Sequence, residues 1–166
     1  MCVILNEKEK CVICPGSYDP ITLGHIDIIE RAANLFDKVI VVVMINYKKR
    51  YSFSVEERVE MIKKSVSHIK NVEVDFSDGL LSEYAKQKNA YAIVKGLRAM
   101  SDFEYEFQMA LANKKLNPNI ETLFLTTKAN FMYLSSSMVK QIASMGGDIS
   151  GFVPAVIHKN ILDRLS

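Results

Sequence analysis

Cysteine is scarce in this chain of 166 residues: Cys2, Cys11 and Cys14 are the full set. An odd count with no export signal argues against a disulfide framework. Long apolar runs are also missing. The longest, Val39 to Ile45, is far below the length of a membrane span, so no membrane partner is expected. The N-terminus carries Glu7, Lys8, Glu9 and Lys10 and no small-residue cleavage site, so it does not read as a signal peptide, and a cytoplasmic location follows by default. No run of five like charges occurs, which excludes a disordered charged tail. Neither sign dominates: 21 basic and 19 acidic residues give a net charge of +2. That balance gives no electrostatic case for a nucleic-acid partner. Two common phosphate-binding signatures, GxxxxGK[ST] and GxGxxG, are absent as well, which removes the P-loop and the dinucleotide fingerprint.

What is present fits one globular domain. The chain is 49% apolar and 24% charged, which is ordinary for a soluble protein, and its length supports a sizeable core. Cys11-Val-Ile-Cys14 has CxxC spacing. It reads as a buried strand running into Pro15-Gly16. An offset of three in a strand puts the two thiols on opposite faces, which suits neither a dithiol nor a shared metal. No second Cys/His pair completes a zinc site.

Apolar runs alternate with helix-period segments along the chain. Strands are expected at Cys11–Cys14, Lys38–Ile45, Val72–Phe76, Ala92–Val94 and Thr122–Leu125. Helices are expected at Gly24–Phe36, from the Ser54-Val-Glu-Glu57 capping box to about Ser67, and at Leu80–Lys88. Further helices are Asp102–Leu116 with Asp102 as N-cap, Ser135–Met145, and Val153–Leu165 with Pro154 in its first turn. Ile28, Ile29, Ala32, Ala33, Leu35 and Phe36 make the apolar face of the first helix. This alternation predicts an α/β fold with a doubly wound, five-stranded parallel sheet. The domain spans residues 11–166, with 1–10 as an N-terminal extension. Ligands of such sheets bind beyond the carboxyl ends of the strands.

Four of those strand ends carry anion-compatible groups. After the first comes Pro15-Gly-Ser17-Tyr18-Asp-Pro-Ile-Thr22-Leu-Gly24-His25. It is a tight loop opening onto a helix N-terminus, where backbone N–H groups and the helix dipole favour phosphate, and the ring of His25 can point at the bound anion. The second delivers Tyr47-Lys48-Lys49-Arg50, expected beside the Ser17 loop. The fourth ends in Lys95-Gly96-Leu97-Arg98, and Arg suits bidentate phosphate contact. The fifth leads to Ser135-Ser136-Ser137, hydroxyls that serve as caps and phosphate donors alike. The spacing Thr22-x-Gly24-His25 resembles the T/HxGH motif of the nucleotidylyltransferase superfamily, and three readings stay open at this level: nucleotidyl transfer to one acceptor or another, nicotinamide mononucleotide among them; a nucleotide-binding regulatory module; and a flavodoxin-like or sensor domain that shares only the strand pattern.

The stretches PGSYDPITLGHIDII, FSVEERVEMI, KGLRAMSDFEYEFQMA and SSSMVK, in that order, resemble the bacterial phosphopantetheine adenylyltransferase family of the nucleotidylyltransferase superfamily. The resemblance runs from about Cys11 to the C-terminus. It implies a Rossmann-like fold, adenylyl transfer from ATP to 4'-phosphopantetheine, Mg²⁺ held mainly by substrate phosphates and water, coenzyme A as a feedback ligand, and a homohexamer. By motif it implies His25, Lys49 and Ser17 as catalytic residues. It gives ATP contacts at Ser17, Tyr18, His25, Gly96, Leu97, Arg98, Glu106 and the stretch Phe131, Met132, Tyr133, Leu134, Ser135, Ser136 and Ser137. Phosphopantetheine contacts fall at Ser17, Lys49, Leu81 and Lys95. The sequence departs from the family pattern at Ser17, where Thr is common, at Cys14, where Tyr is frequent, and at Lys95, where Arg is usual. Lys keeps the charge there but lacks the planar fork.

Overall fold

The structure, a computed structural model, describes residues 9–166. Most of the 1–10 extension and Cys2 lie outside the described residues. Among the described residues, five strands and six α-helices follow one another: β1 (Cys11–Gly16), α1 (Leu23–Leu35), β2 (Lys38–Met44), α2 (Val55–Val66), β3 (Val72–Ser77), α3 (Leu81–Gln87), β4 (Ala92–Leu97), α4 (Met100–Leu116), β5 (Glu121–Thr126), α5 (Ser136–Ser144) and α6 (Ala155–Leu165), with a 3-10 turn at Ala129–Phe131. The strands are all parallel, in the order β3-β2-β1-β4-β5. The expected α/β sheet is therefore the one observed.

β2 explains why the sheet is covered on both sides. Val39 to Val43 are all buried, as a strand with helices on each face requires. Val39, Val41 and Val43 join a core with Ile28, Ile29, Met61, Ile62, Val139 and Ile157 from α1, α2, α5 and α6. Ile40 and Val42 point the other way, to a smaller core with Ile13, Ile93, Tyr84 and Ala85. The same alternation divides the cysteines: Cys14 belongs to the first core and Cys11 to the second. Both thiols are free.

Several boundaries differ from the sequence expectation, with β1 running on to Gly16 and ends of β2, β3, β5, α3 and α5 moving by one residue. β4 runs on to Leu97 because Lys95, Gly96 and Leu97 continue to pair with Phe124, Leu125 and Thr126. α1 starts at Leu23 with Thr22 as N-cap, not at Gly24, and α6 starts at Ala155 with Pro154 as its cap residue. Leu35 is 65% exposed, so it leaves the apolar face of α1, which ends there. Asp102 is not an N-cap. α4 begins at Met100 after Ala99, without a side-chain cap. The carboxylate of Asp102 instead turns back to Arg98, which offers it a charged partner as well as a backbone N–H.

Candidate active site

β1 and β4 pair only at Val12–Ala92 and Ile13–Ile93. Beyond that point each strand keeps its outer neighbour, β1 pairing with β2 to Gly16 and β4 with β5 to Leu97. The two central strands thus part at the point where strand order reverses. Pro15, with no N–H to donate, sits where they separate. A cavity of about 300 Å³ opens in the gap, with Cys14 and Gly16 on one wall and Val94, Lys95 and Gly96 on the other. Gly16 is required by close approach: a Cβ there would meet the Tyr18 ring at 2.9 Å. Tyr18 itself has φ 49, a left-handed conformation rare for an aromatic residue. Its hydroxyl donates to the Cys14 carbonyl at 2.9 Å, which holds the loop folded back on its own strand.

His25 lies in the first turn of α1 and faces this cavity. Its ring completes a capping box in the place where Glu or Gln is usual: the Thr22 backbone N–H donates to Nδ1 at 3.0 Å, and the Thr22 hydroxyl accepts from the His25 N–H. A ring nitrogen that accepts an N–H carries no proton, so the proton of the neutral ring belongs on Nε2. Burial, then the charges of Arg98 and Lys95, lower the pKa of His25 to about 4. The imidazole is therefore neutral at physiological pH, with Nε2–H as a donor. The edge of Tyr18 packs against it at 5.0 Å.

Two cations enter from β4. Lys95 pairs with Glu106 of α4 at 3.2 Å. Arg98 donates to Asp102 through Nε at 3.0 Å and Nη2 at 3.2 Å, and through Nη1 to the Leu134 carbonyl at 2.8 Å. Its remaining N–H groups are available to an anion. Opposite them begins α5. Ser135 is its N-cap and accepts from Met138 N–H at 3.1 Å, while the Ser136 hydroxyl donates to the Pro20 carbonyl at 2.7 Å. Lys95, Arg98, Glu106, Leu134, Ser135 and Ser136 all line the cavity with His25. An imidazole donor, an ammonium, a guanidinium and a helix N-terminus thus converge on one space, an arrangement that binds phosphate. Cys14 lines it too, but burial pushes its thiol up to about 12, so it is a wall and not a nucleophile.

Several sequence-predicted residues lie elsewhere. Lys49 is exposed and lines a second cavity with Asn46, Tyr47, Tyr51 and Arg58, at the carboxyl end of the neighbouring strand β2. It shares that end of the sheet with His25 but not the same cavity. Leu81, at the start of α3, packs on the smaller core. Ser17, Leu97 and Ser137 flank residues of the cavity without lining it. Phe131 packs on the main core, while Met132 and Tyr133 are about half exposed, with Tyr133 set edge-on to Phe152.

Sequence reasoning missed Thr22 as the residue that orients His25, and Asp102 as the one that holds Arg98. The TxGH spacing contained the first signal, because an N-cap three residues before a hydrogen-bonding side chain is a capping box. It also missed Asp19, Arg58 and Lys140. Asp19 and Arg58 are 4% and 1% exposed, and the bonds from Asp19 to Ser52, Phe53 and Lys140 and from Arg58 to Ser17 join residues at least 33 positions apart, so no local pattern announces them.

Strand order, a cavity at the switch point and a TxGH histidine at a helix N-terminus define a nucleotidyltransferase of the Rossmann-like type. The family model described as cytidylyltransferase-like matches residues 13–142. A phosphopantetheine adenylyltransferase of Caldanaerobacter subterraneus is 59% identical over 155 residues, covering 93% of this chain and 97% of the relative. One of Clostridium botulinum is 56% identical over 93% of this chain and 98% of its own. The chain belongs to the phosphopantetheine adenylyltransferase family. A solved nicotinic acid mononucleotide adenylyltransferase of Plasmodium falciparum shares the fold, with a TM-score of 0.64 at 15% identity over 95% of this chain and 94% of that one.

Proposed function

We propose that this protein transfers the adenylyl group of ATP to 4'-phosphopantetheine, giving dephospho-coenzyme A and pyrophosphate. The observation that carries the reading is the convergence of His25, Lys95, Arg98 and the start of α5 on one cavity at the β1/β4 switch point. Identity above 50% with relatives of that name supports the choice of acceptor.

The acceptor phosphate attacks the α-phosphorus of ATP in line, and the α–β oxygen bond breaks as pyrophosphate leaves. The attacking group is already an anion, so no strong base is required, and catalysis consists of positioning and charge stabilisation. A neutral His25 cannot lend a full charge. It lends a fixed Nε2–H donor, which costs no reorganisation when charge develops on the transferring phosphoryl. Arg98, pinned by Asp102, and the first turn of α5 receive the leaving pyrophosphate. Lys95 and Lys49 hold the acceptor, with Leu81 beside it. Ser17 contacts both substrates, and Tyr18, Gly96, Leu97, Glu106 and the stretch 131–137 border the nucleotide. The domain that does this is 11–166; residues 1–10 have no part in the scheme.

Mg²⁺ would supply charge neutralisation on the phosphates. The cavity carboxylates, Asp102 and Glu106, are engaged by Arg98 and Lys95, and among the described residues no group of three or more His, Cys, Asp or Glu is arranged to hold a metal. These residues fit an ion carried by substrate oxygens and water rather than a protein cage. Coenzyme A, which shares the pantetheine arm of the acceptor and carries an adenine nucleotide, would compete for the site as a feedback ligand. The homohexamer that the family resemblance implies would bury some of the apolar side chains that α4 exposes, among them Tyr105, Phe107 and Leu111 at 63%, 46% and 57%. A cytoplasmic location accords with the lack, among the described residues, of any helix long and apolar enough to cross a membrane.

The test is pyrophosphate release from ATP against a panel of acceptors, with products identified by mass. The account expects dephospho-coenzyme A from 4'-phosphopantetheine and no release with nicotinamide mononucleotide. A preference for the latter, or no release with any acceptor, overturns it.

A further inference from the structure

Asp19 does not line the cavity, yet three elements meet on its carboxylate. Ser52 N–H donates to Oδ1 and Oδ2 at 3.2 and 3.1 Å, Phe53 N–H donates to Oδ1 at 3.0 Å, and Lys140 Nζ lies 2.8 Å from Oδ2. The side chain is 5% exposed. Ser52 and Phe53 close the loop that follows β2 and carries Lys49. Lys140 is on α5, one turn past the hydroxyls of Ser135 and Ser136. Asp19 follows Ser17 and Tyr18 directly. A buried carboxylate with these partners is satisfied, and what it joins are the acceptor-side and nucleotide-side ends of the site. Neighbouring bonds reinforce the junction: Arg58 Nη1 donates to the Ser17 carbonyl at 2.8 Å while its guanidinium stacks on Tyr51 at 4.0 Å, and Ser136 Oγ donates to the Pro20 carbonyl at 2.7 Å.

We propose that Asp19 is a positioning residue for the transfer: its carboxylate latches the Lys49 loop and helix α5 to the Ser17 loop, and so sets the spacing between the two substrates. The choice of substrates rests on the function proposed above; the latch does not. In-line attack tolerates little misplacement, since an error near 1 Å costs on the order of a hundredfold in rate. The latch therefore acts on turnover and on the order of the Lys49 loop together.

Two readouts separate this from a purely structural role. Asp19→Asn keeps the size of the side chain but loses the ion pair and one of the two oxygens that accept the backbone N–H groups. At a temperature where the variant is folded, its kcat should fall on the order of a hundredfold. Tryptic cleavage after Lys48, Lys49 and Arg50, followed by mass spectrometry on the intact chain, should become faster. Lys140→Gln, at a partly exposed position, frees only the α5 arm, so it should lower kcat by less. The double variant should be no slower than Asp19→Asn alone, because neighbours on one network do not add. If kcat stays within about twofold, or cleavage is unchanged, the latch is refuted. Should Asp19→Asn not fold, an unchanged kcat in Lys140→Gln refutes it and a reduced one supports it. If the unaltered protein makes no dephospho-coenzyme A, the functional reading fails while the cleavage comparison still decides the latch.

Discussion

The role proposed for His25 rests on what its ring withholds. A histidine with its ordinary pKa of 6.5 would be partly charged at neutral pH, whereas burial and the nearby cations lower this one to about 4. Replacing it with Ala removes one preorganised donor, which costs on the order of a hundredfold in kcat, and because the Thr22 N–H also loses its acceptor the thermal midpoint should fall by roughly 2–4 °C with the fold retained. Near-normal turnover would contradict the role. Its protonation also makes no acid limb near pH 6.5. kcat/KM measured from pH 7.5 down to 5.5 should show no loss that disappears in His25→Ala. The stability consequence has a definite sign. Between 6.5 and about 4 the unfolded chain holds a proton on this ring and the folded chain does not. Stability from this group is complete above 6.5 and drains away as pH falls through that window, and denaturant midpoints in His25→Gln should lose that part of the pH slope.

The elements matter because their first turns build the site. α1 holds the proposed catalytic histidine through its cap: Thr22, 2% exposed, caps the helix with its hydroxyl, which also lies 3.1 Å from His25 Nδ1, and meets the same ring nitrogen with its backbone N–H. Thr22→Ala should cost about 1 kcal/mol and roughly 2–4 °C of thermal midpoint, and should lower kcat where an ordinary cap would not. Between β4 and α1 the fit is close: a Cβ on Gly96 would lie 2.8 Å from Cγ1 of Ile28, and Ile28 lines the cavity. Gly96→Ala is expected to destabilise by about 1–3 kcal/mol and to raise the KM for ATP; a calorimetric trace and a substrate titration check the two effects. Element types were legible in the sequence because β-branched runs, the Ser54 capping box and the glycine pair after α5 are local signals. Asp102 was misread for the same reason. A small acidic residue directly before Phe103 looks like a cap, whereas the helix starts two residues earlier, at Met100, and turns Asp102 back to Arg98.

At the scale of the molecule, the sheet was readable from alternation, and the four strand ends with anion-compatible groups from position alone. Which ends share a cavity was not. That depends on β1 and β4 parting after Ile13 and Ile93, which brings Lys95 and Arg98 to His25, while the Lys49 loop borders a neighbouring cavity. The Asp19–Lys140 pair spans 121 positions, beyond any periodicity. The apolar side chains exposed on α4 belong to this scale too. Sedimentation should give the mass of a six-copy assembly, and Phe107→Glu with Leu111→Glu should reduce it; a monomer before substitution would contradict the assembly. The central claim is that one space at the switch point holds the phosphates of ATP. A crystal structure with a non-hydrolysable ATP analogue tests it most directly. The account predicts phosphate oxygens within hydrogen-bond distance of His25 Nε2, Arg98 and the first turn of α5. A nucleotide bound elsewhere, with the imidazole facing empty solvent, would contradict it.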